Sequence, residues 1–93
     1  MRIAALIRQR LIAALAPSHL ALVDQSAQHA GHAGARPEGE SHFRLTIVSE
    51  AFAGRSRIDR QRLVFAALGD LMQTDIHALS ITALTADEAT ARR

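Results

Sequence analysis

The apolar residues of this chain switch between two spacings, helical and alternating, and each switch marks a change of element. From Arg2 to Leu15 the residues Ile3, Leu6, Ile7, Leu11, Ala14 and Leu15 fall at helical spacing, with Arg8, Gln9 and Arg10 between them. This predicts an amphipathic helix that ends before Pro17. Leu20–Asp24 is a short apolar run of strand length. Phe43, Leu45 and Ile47 then alternate with Arg44, Thr46 and Val48 in a second strand, and the two pair as a hairpin. Ser56, with Asp59 three residues on, resembles a capping box in which Asp replaces Glu or Gln. It opens a helix running to about Met72, with Leu63, Val64, Ala67, Leu68, Leu71 and Met72 as its buried stripe. Thr74 and Asp75 end it. His77, Leu79, Ile81 and Ala83 alternate with Ala78, Ser80, Thr82 and Leu84 in a third strand, and Thr85 with Glu88 caps a short final helix.

The expected fold class is therefore α+β, in the order α-β-β-α-β-α, with an extra helical turn admitted beside the long helix (α-β-β-α-(α)-β before the last helix). A chain of 93 residues is one domain, 1–93, near the lower size limit for a self-sufficient core. Residues 25–40 lack apolar periodicity and are rich in Gly, Ala, His, Ser and Pro. They are expected to form a long loop, and loops of that length in compact domains are often functional.

There is no cysteine. Disulfides cannot staple the fold, and the chain offers neither a thiolate ligand nor a thiol nucleophile. With three Phe and no Trp or Tyr, the core must be built from Leu, Ile, Val and Ala. Arg8 and Arg10 interrupt the N-terminal apolar run, which argues against a signal peptide. No apolar stretch approaches the roughly 18 residues of a membrane span. A cytoplasmic protein is expected. All eleven basic residues are Arg, yet the formal net charge of +2 is too small by itself to imply nucleic-acid binding.

Five strings carry a family resemblance. They are Asp24-x-Ser26-x-x-His29, Glu40-Ser41-His42-Phe43, Val48-Ser49-x-x-Phe52-x-Gly54, Arg60-x-Arg62 and Ile76-His77-Ala78-Leu79. None is specific alone. In this order and spacing, covering almost the whole chain, they resemble the BolA family. The resemblance implies a class II KH-like topology, a three-stranded mixed sheet with helices on one face. It also implies a partnership with monothiol glutaredoxins, in which the two proteins share a bridging [2Fe-2S] cluster for iron–sulfur assembly, delivery or iron sensing. Glutathione would come through the partner, and the free form would be a monomer or weak dimer. The family is further linked to transcription regulation and stress responses.

The family's histidine ligand corresponds to His77. Its second ligand lies in the loop between the first two strands, where counting from Asp24 falls on His29. The loop is a few residues longer here, so His32 competes for that place. Replacing thiolate by imidazole raises a cluster's potential and makes the ligand easier to lose by protonation. A cysteine-free domain offering histidine must therefore work with a thiol-bearing partner. Read without the resemblance, His77 is a strand-end histidine satisfied by a backbone carbonyl, and His29 and His32 are solvated. His42 is expected to be structural, fixing the base of the loop, and His19 to be exposed.

Two other classes compete. Arg55, Arg57, Arg60 and Arg62 cluster at the start of the long helix, where they could bind DNA phosphates or simply form a solvated face partly paired with Asp59. Gly31-His-Ala-Gly34 fits the Gly-x-x-Gly pattern of nucleic-acid-binding KH domains, but it lies between strands rather than helices. An enzyme is not expected, because no nucleophile motif appears and so small a chain leaves no room for a deep pocket. A zinc site from His29, His32 and His77 is chemically conceivable and ranks last.

Overall fold

The computed structural model describes residues 2–25 and 42–92. The elements are α1 (Arg2–Leu15), β1 (His19–Asp24), β2 (His42–Val48), a 3-10 turn (Glu50–Phe52), α2 (Arg57–Leu68), α3 (Leu71–Thr74), β3 (Ala78–Leu84) and α4 (Ala86–Ala91). This is the expected order, and the 3-10 turn is the extra helical turn before the long helix.

The strands form one sheet in the order β1-β2-β3. β1 runs antiparallel to β2, with Leu20 opposite Ile47 and Leu22 opposite Leu45. β3 runs parallel to β2, with Leu45 opposite Ile81 and Ile47 opposite Ala83. A parallel pair cannot be joined by a tight turn, and the 3-10 turn, α2 and α3 supply the crossover. The register places Leu20 and Leu22, Phe43, Leu45 and Ile47, and Leu79, Ile81 and Ala83 on one face. Against it pack Ile3, Ile7, Leu11 and Leu15 of α1 and Val64 and Leu68 of α2, closing a single apolar core in which Phe43 and Phe52 are the largest fully buried side chains. Ala14, on the edge of the predicted stripe of α1, is exposed. On the opposite face, Ala89 and Thr90 of α4 border a shallow concavity with Thr46 and Thr82.

The long helix is not continuous to Met72. It stops at Leu68, because Gly69 takes a positive φ of 56° that favours glycine. The backbone N–H of Gly69 closes the helix on the Phe65 carbonyl at 2.9 Å. Arg10, from α1, donates to the Leu68 carbonyl at 2.7 Å and to the Asp70 carboxylate at 2.8 Å. That tie holds the Asp70 carboxyl below its ordinary value, chiefly through the Arg10 hydrogen bond. α3 continues burial with Leu71, so the apolar spacing runs on across a break that spacing alone does not register.

Ser49 joins three elements. Its hydroxyl donates to the Leu15 carbonyl at 2.6 Å and accepts from the Ala51 N–H at 3.1 Å. It thus satisfies the C-terminal end of α1 and opens the 3-10 turn. Phe52 then enters the core, and Gly54 turns the chain at φ 73°. The string Val48-Ser49-x-x-Phe52-x-Gly54 is accounted for by folding.

Candidate functional site

Ile76 is buried, and it holds the turn that presents the exposed His77 just ahead of β3. Strand pairing begins at Ala78, one residue later than the alternation predicts. The register sets Ala78 opposite His42, the first residue of β2. Because β2 starts with His42 and His77 immediately precedes β3, the parallel register places the two histidines side by side. The rings of His42 and His77 lie 5.0 Å apart between centroids, tilted by 42°. With metal–nitrogen bonds of about 2.0–2.1 Å, two imidazoles on one ion have centroids roughly 5 Å apart.

β1 ends at the same edge of the sheet. The Gln25 N–H donates to the His42 carbonyl at 2.7 Å, so the segment that follows Gln25 leaves the sheet beside His42 and rejoins it there. His29 and His32 lie in that segment, outside the described residues. Among the described residues, no group of three or more His, Asp or Glu side chains could hold a metal. On sequence grounds His42 is expected only to fix the base of the loop. The signal that finds it beside His77 is the parallel register, since His42 begins β2 and His77 immediately precedes β3. His19, as expected, is exposed.

The four arginines do not share one surface. Arg55 and Arg57 line a concavity of about 530 Å³ between the start of α2 and the end of α4, with Arg60 and Arg92 beside them. Arg62 lies outside this lining and pairs with Asp59 at 3.5 Å. Arg60 works within the molecule. Its guanidinium donates to both oxygens of Glu88, at 2.6 and 3.2 Å, and to the Ala83 carbonyl at 3.0 Å. Its Nε donates to the Arg55 carbonyl at 3.0 Å. Glu88 also accepts from the Thr85 N–H at 2.8 Å, completing the capping box of α4. The Arg60 hydrogen bond and then the Thr85 N–H lower the Glu88 carboxyl to a pKa of about 2, and the same contact raises the Arg60 value.

A three-stranded mixed sheet with two helices packed on one face, an exposed histidine at the entry to β3 and a long segment between β1 and β2 define a small α+β domain. Its family follows from comparison. The family model for BolA-like proteins matches residues 11–88, and the chain belongs to the BolA family. It is 46% identical over 86 residues to SufE-like protein 1, chloroplastic/mitochondrial, of Arabidopsis thaliana, covering 88% of this chain. It is 35% identical over 82 residues to the DNA-binding transcriptional regulator BolA of Escherichia coli (strain K12), covering 88% of this chain and 74% of that protein. The chain spans only 23% of the length of SufE-like protein 1 and 52% of Protein BOLA1, chloroplastic, of the same plant. Among solved structures, the BolA domain of SufE1 from Arabidopsis thaliana matches with a TM-score of 0.75 over 88% of this chain and 90% of that one. BolA1 from Mus musculus matches at 38% identity, with a TM-score of 0.82 over 99% of this chain and 72% of that one. No helix among the described residues is long and apolar enough to cross a membrane.

Proposed function

We propose that this BolA-family domain is a non-catalytic partner of a monothiol glutaredoxin, with which it shares a bridging [2Fe-2S] cluster for iron–sulfur assembly, delivery or iron sensing. His77 is one ligand and His29 or His32 the second. The remaining ligands are thiolates of the partner and of glutathione. When bound, the cluster supplies electron-transfer or delivery chemistry. The chain's own part is to present neutral imidazole from a rigid strand entry.

One observation carries this reading. His77 stands exposed at the sheet end where the histidine-bearing segment leaves and returns, with His42 against it. The donor chemistry fits, since a chain without cysteine offers imidazole in place of thiolate. The beginning of β3 is also far from the arginine concavity, so cluster sharing does not compete for that surface.

The test is reconstitution of the cluster with a monothiol glutaredoxin, followed by visible circular dichroism. His77→Ala is expected to abolish the mixed-complex spectrum. One of His29→Ala and His32→Ala should shorten cluster lifetime, and the other should not. A spectrum and lifetime unchanged by His77→Ala would overturn the reading.

DNA binding through residues 55–62 is a second reading, supported by the printed name of the Escherichia coli relative and by exposed Arg55 and Arg57. Titration of a DNA duplex at several salt concentrations tests it. Arg57→Ala should then weaken binding and lower the salt slope by about one.

A further inference from the structure

β3 is an outer strand of the sheet. The Ser49 N–H donates to the Leu84 carbonyl at 2.9 Å, so the backbone of Leu84 faces β2. Alternation along the strand turns Ile81 and Ala83 the other way. The Arg60 guanidinium meets the Ala83 carbonyl on that outward side. The N–H of Ala83 and both backbone groups of Ile81 therefore face outward, and both residues line the arginine concavity.

Its walls are strongly basic. Glu88 is the one acidic residue among those lining it, and it is already neutralised by Arg60. Arg57 and Arg92 make no ion pair with a described residue. Arg55 uses its Nε on the Ala51 carbonyl at 3.0 Å, leaving its terminal nitrogens to the concavity. A row of strand donors and acceptors flanked by uncompensated guanidinium groups has a particular complement.

We propose that this edge binds an extended acidic peptide segment of a partner protein. The segment adds as a fourth strand against Ile81 and Ala83 and places its carboxylates on Arg55, Arg57 and Arg92. Nucleic acid fits this edge less well. A phosphate backbone offers acceptors only, whereas the strand edge presents an N–H and a C=O in turn, which another peptide backbone matches. The planar fork of arginine pairs with carboxylates in two-point fashion. Because Arg60 already occupies the Ala83 carbonyl, few backbone bonds remain, and the arginines supply most of the affinity.

The probe is a fluorescein-labelled acetyl-(Thr-Glu)₄-amide peptide, read by anisotropy and by NMR of the full chain. Binding is expected, with amide shifts centred on Ile81 and Ala83. A fully N-methylated peptide of the same charge should bind at least about tenfold more weakly, as should the peptide to Arg57→Glu/Arg92→Glu, since two attractions become repulsions. An acidic residue in the first turn of α2 suits the helix dipole, and Arg57→Gln with Arg92→Gln, expected to show a smaller loss, serves if that variant fails to fold. The proposal is overturned by absence of binding, by equal affinity for the N-methylated peptide, or by shifts elsewhere. It is equally overturned if a random 20-base-pair duplex displaces the peptide at lower concentration, which assigns the arginines to phosphate.

Discussion

Among the described residues Ser49 is the buried polar one, at 2% exposure, and two backbone groups depend on its hydroxyl. Removing it strands the Leu15 carbonyl away from water and uncaps the 3-10 turn. Ser49→Ala is expected to cost about 1–3 kcal/mol, the range for leaving a buried hydrogen-bonding group unsatisfied. Urea denaturation would measure this, and an unchanged midpoint would show that water replaces the hydroxyl. His77 is the contrasting case. Its exposed side chain costs folding little, so His77→Ala is expected to affect cluster sharing far more than stability. In the family strings, Ser49, Phe52 and Arg60 answer to folding, whereas His77 is exposed and packs against the His42 ring.

At the scale of elements, α2, β3 and α4 are tied through one contact, the two-point Arg60–Glu88 pair that also touches Ala83. The folded state holds the Glu88 carboxyl at about 2, below its ordinary 4.5. A lowered carboxyl pKa stabilises the fold fully above the unfolded value. That contribution is expected to fade as pH falls from about 4.5 towards about 2. Glu88→Gln keeps the shape but not the charge. Its stability, followed by thermal unfolding across this window, should fall less steeply with acid than that of the wild type. Parallel curves would mean that the pair contributes nothing across this acid window.

For the whole molecule, the histidine end and the arginine end are separated along β3. His77 and Ile81, the nearer of the two strand residues lining the arginine concavity, stand four residues apart along an extended strand, roughly 13 Å. Sites so far apart with no shared partner behave independently. His77→Ala should leave affinity for the acidic peptide unchanged. The stability effects of His77→Ala and Arg57→Glu should add to within about 0.5 kcal/mol. A larger coupling in a double-mutant cycle would show that the two ends communicate.

Apolar spacing determined α1, the three strands and the buried faces of β2 and β3, and the Ser/Thr-to-acidic spacing marked the caps at Ser56 and Thr85. Those features depend on residues a few positions apart, and local spacing reports them directly. Only the tertiary structure decided the rest. The break at Gly69 is held by Arg10 from another helix, 58 residues from Leu68. Arg60 is drawn off the surface by Glu88, 28 residues away. Without cysteine, the histidines are the chain's candidate ligands for the proposed cluster. That His42 stands beside His77 follows from the parallel register of β2 and β3, and a register is set by how whole faces bury against one another.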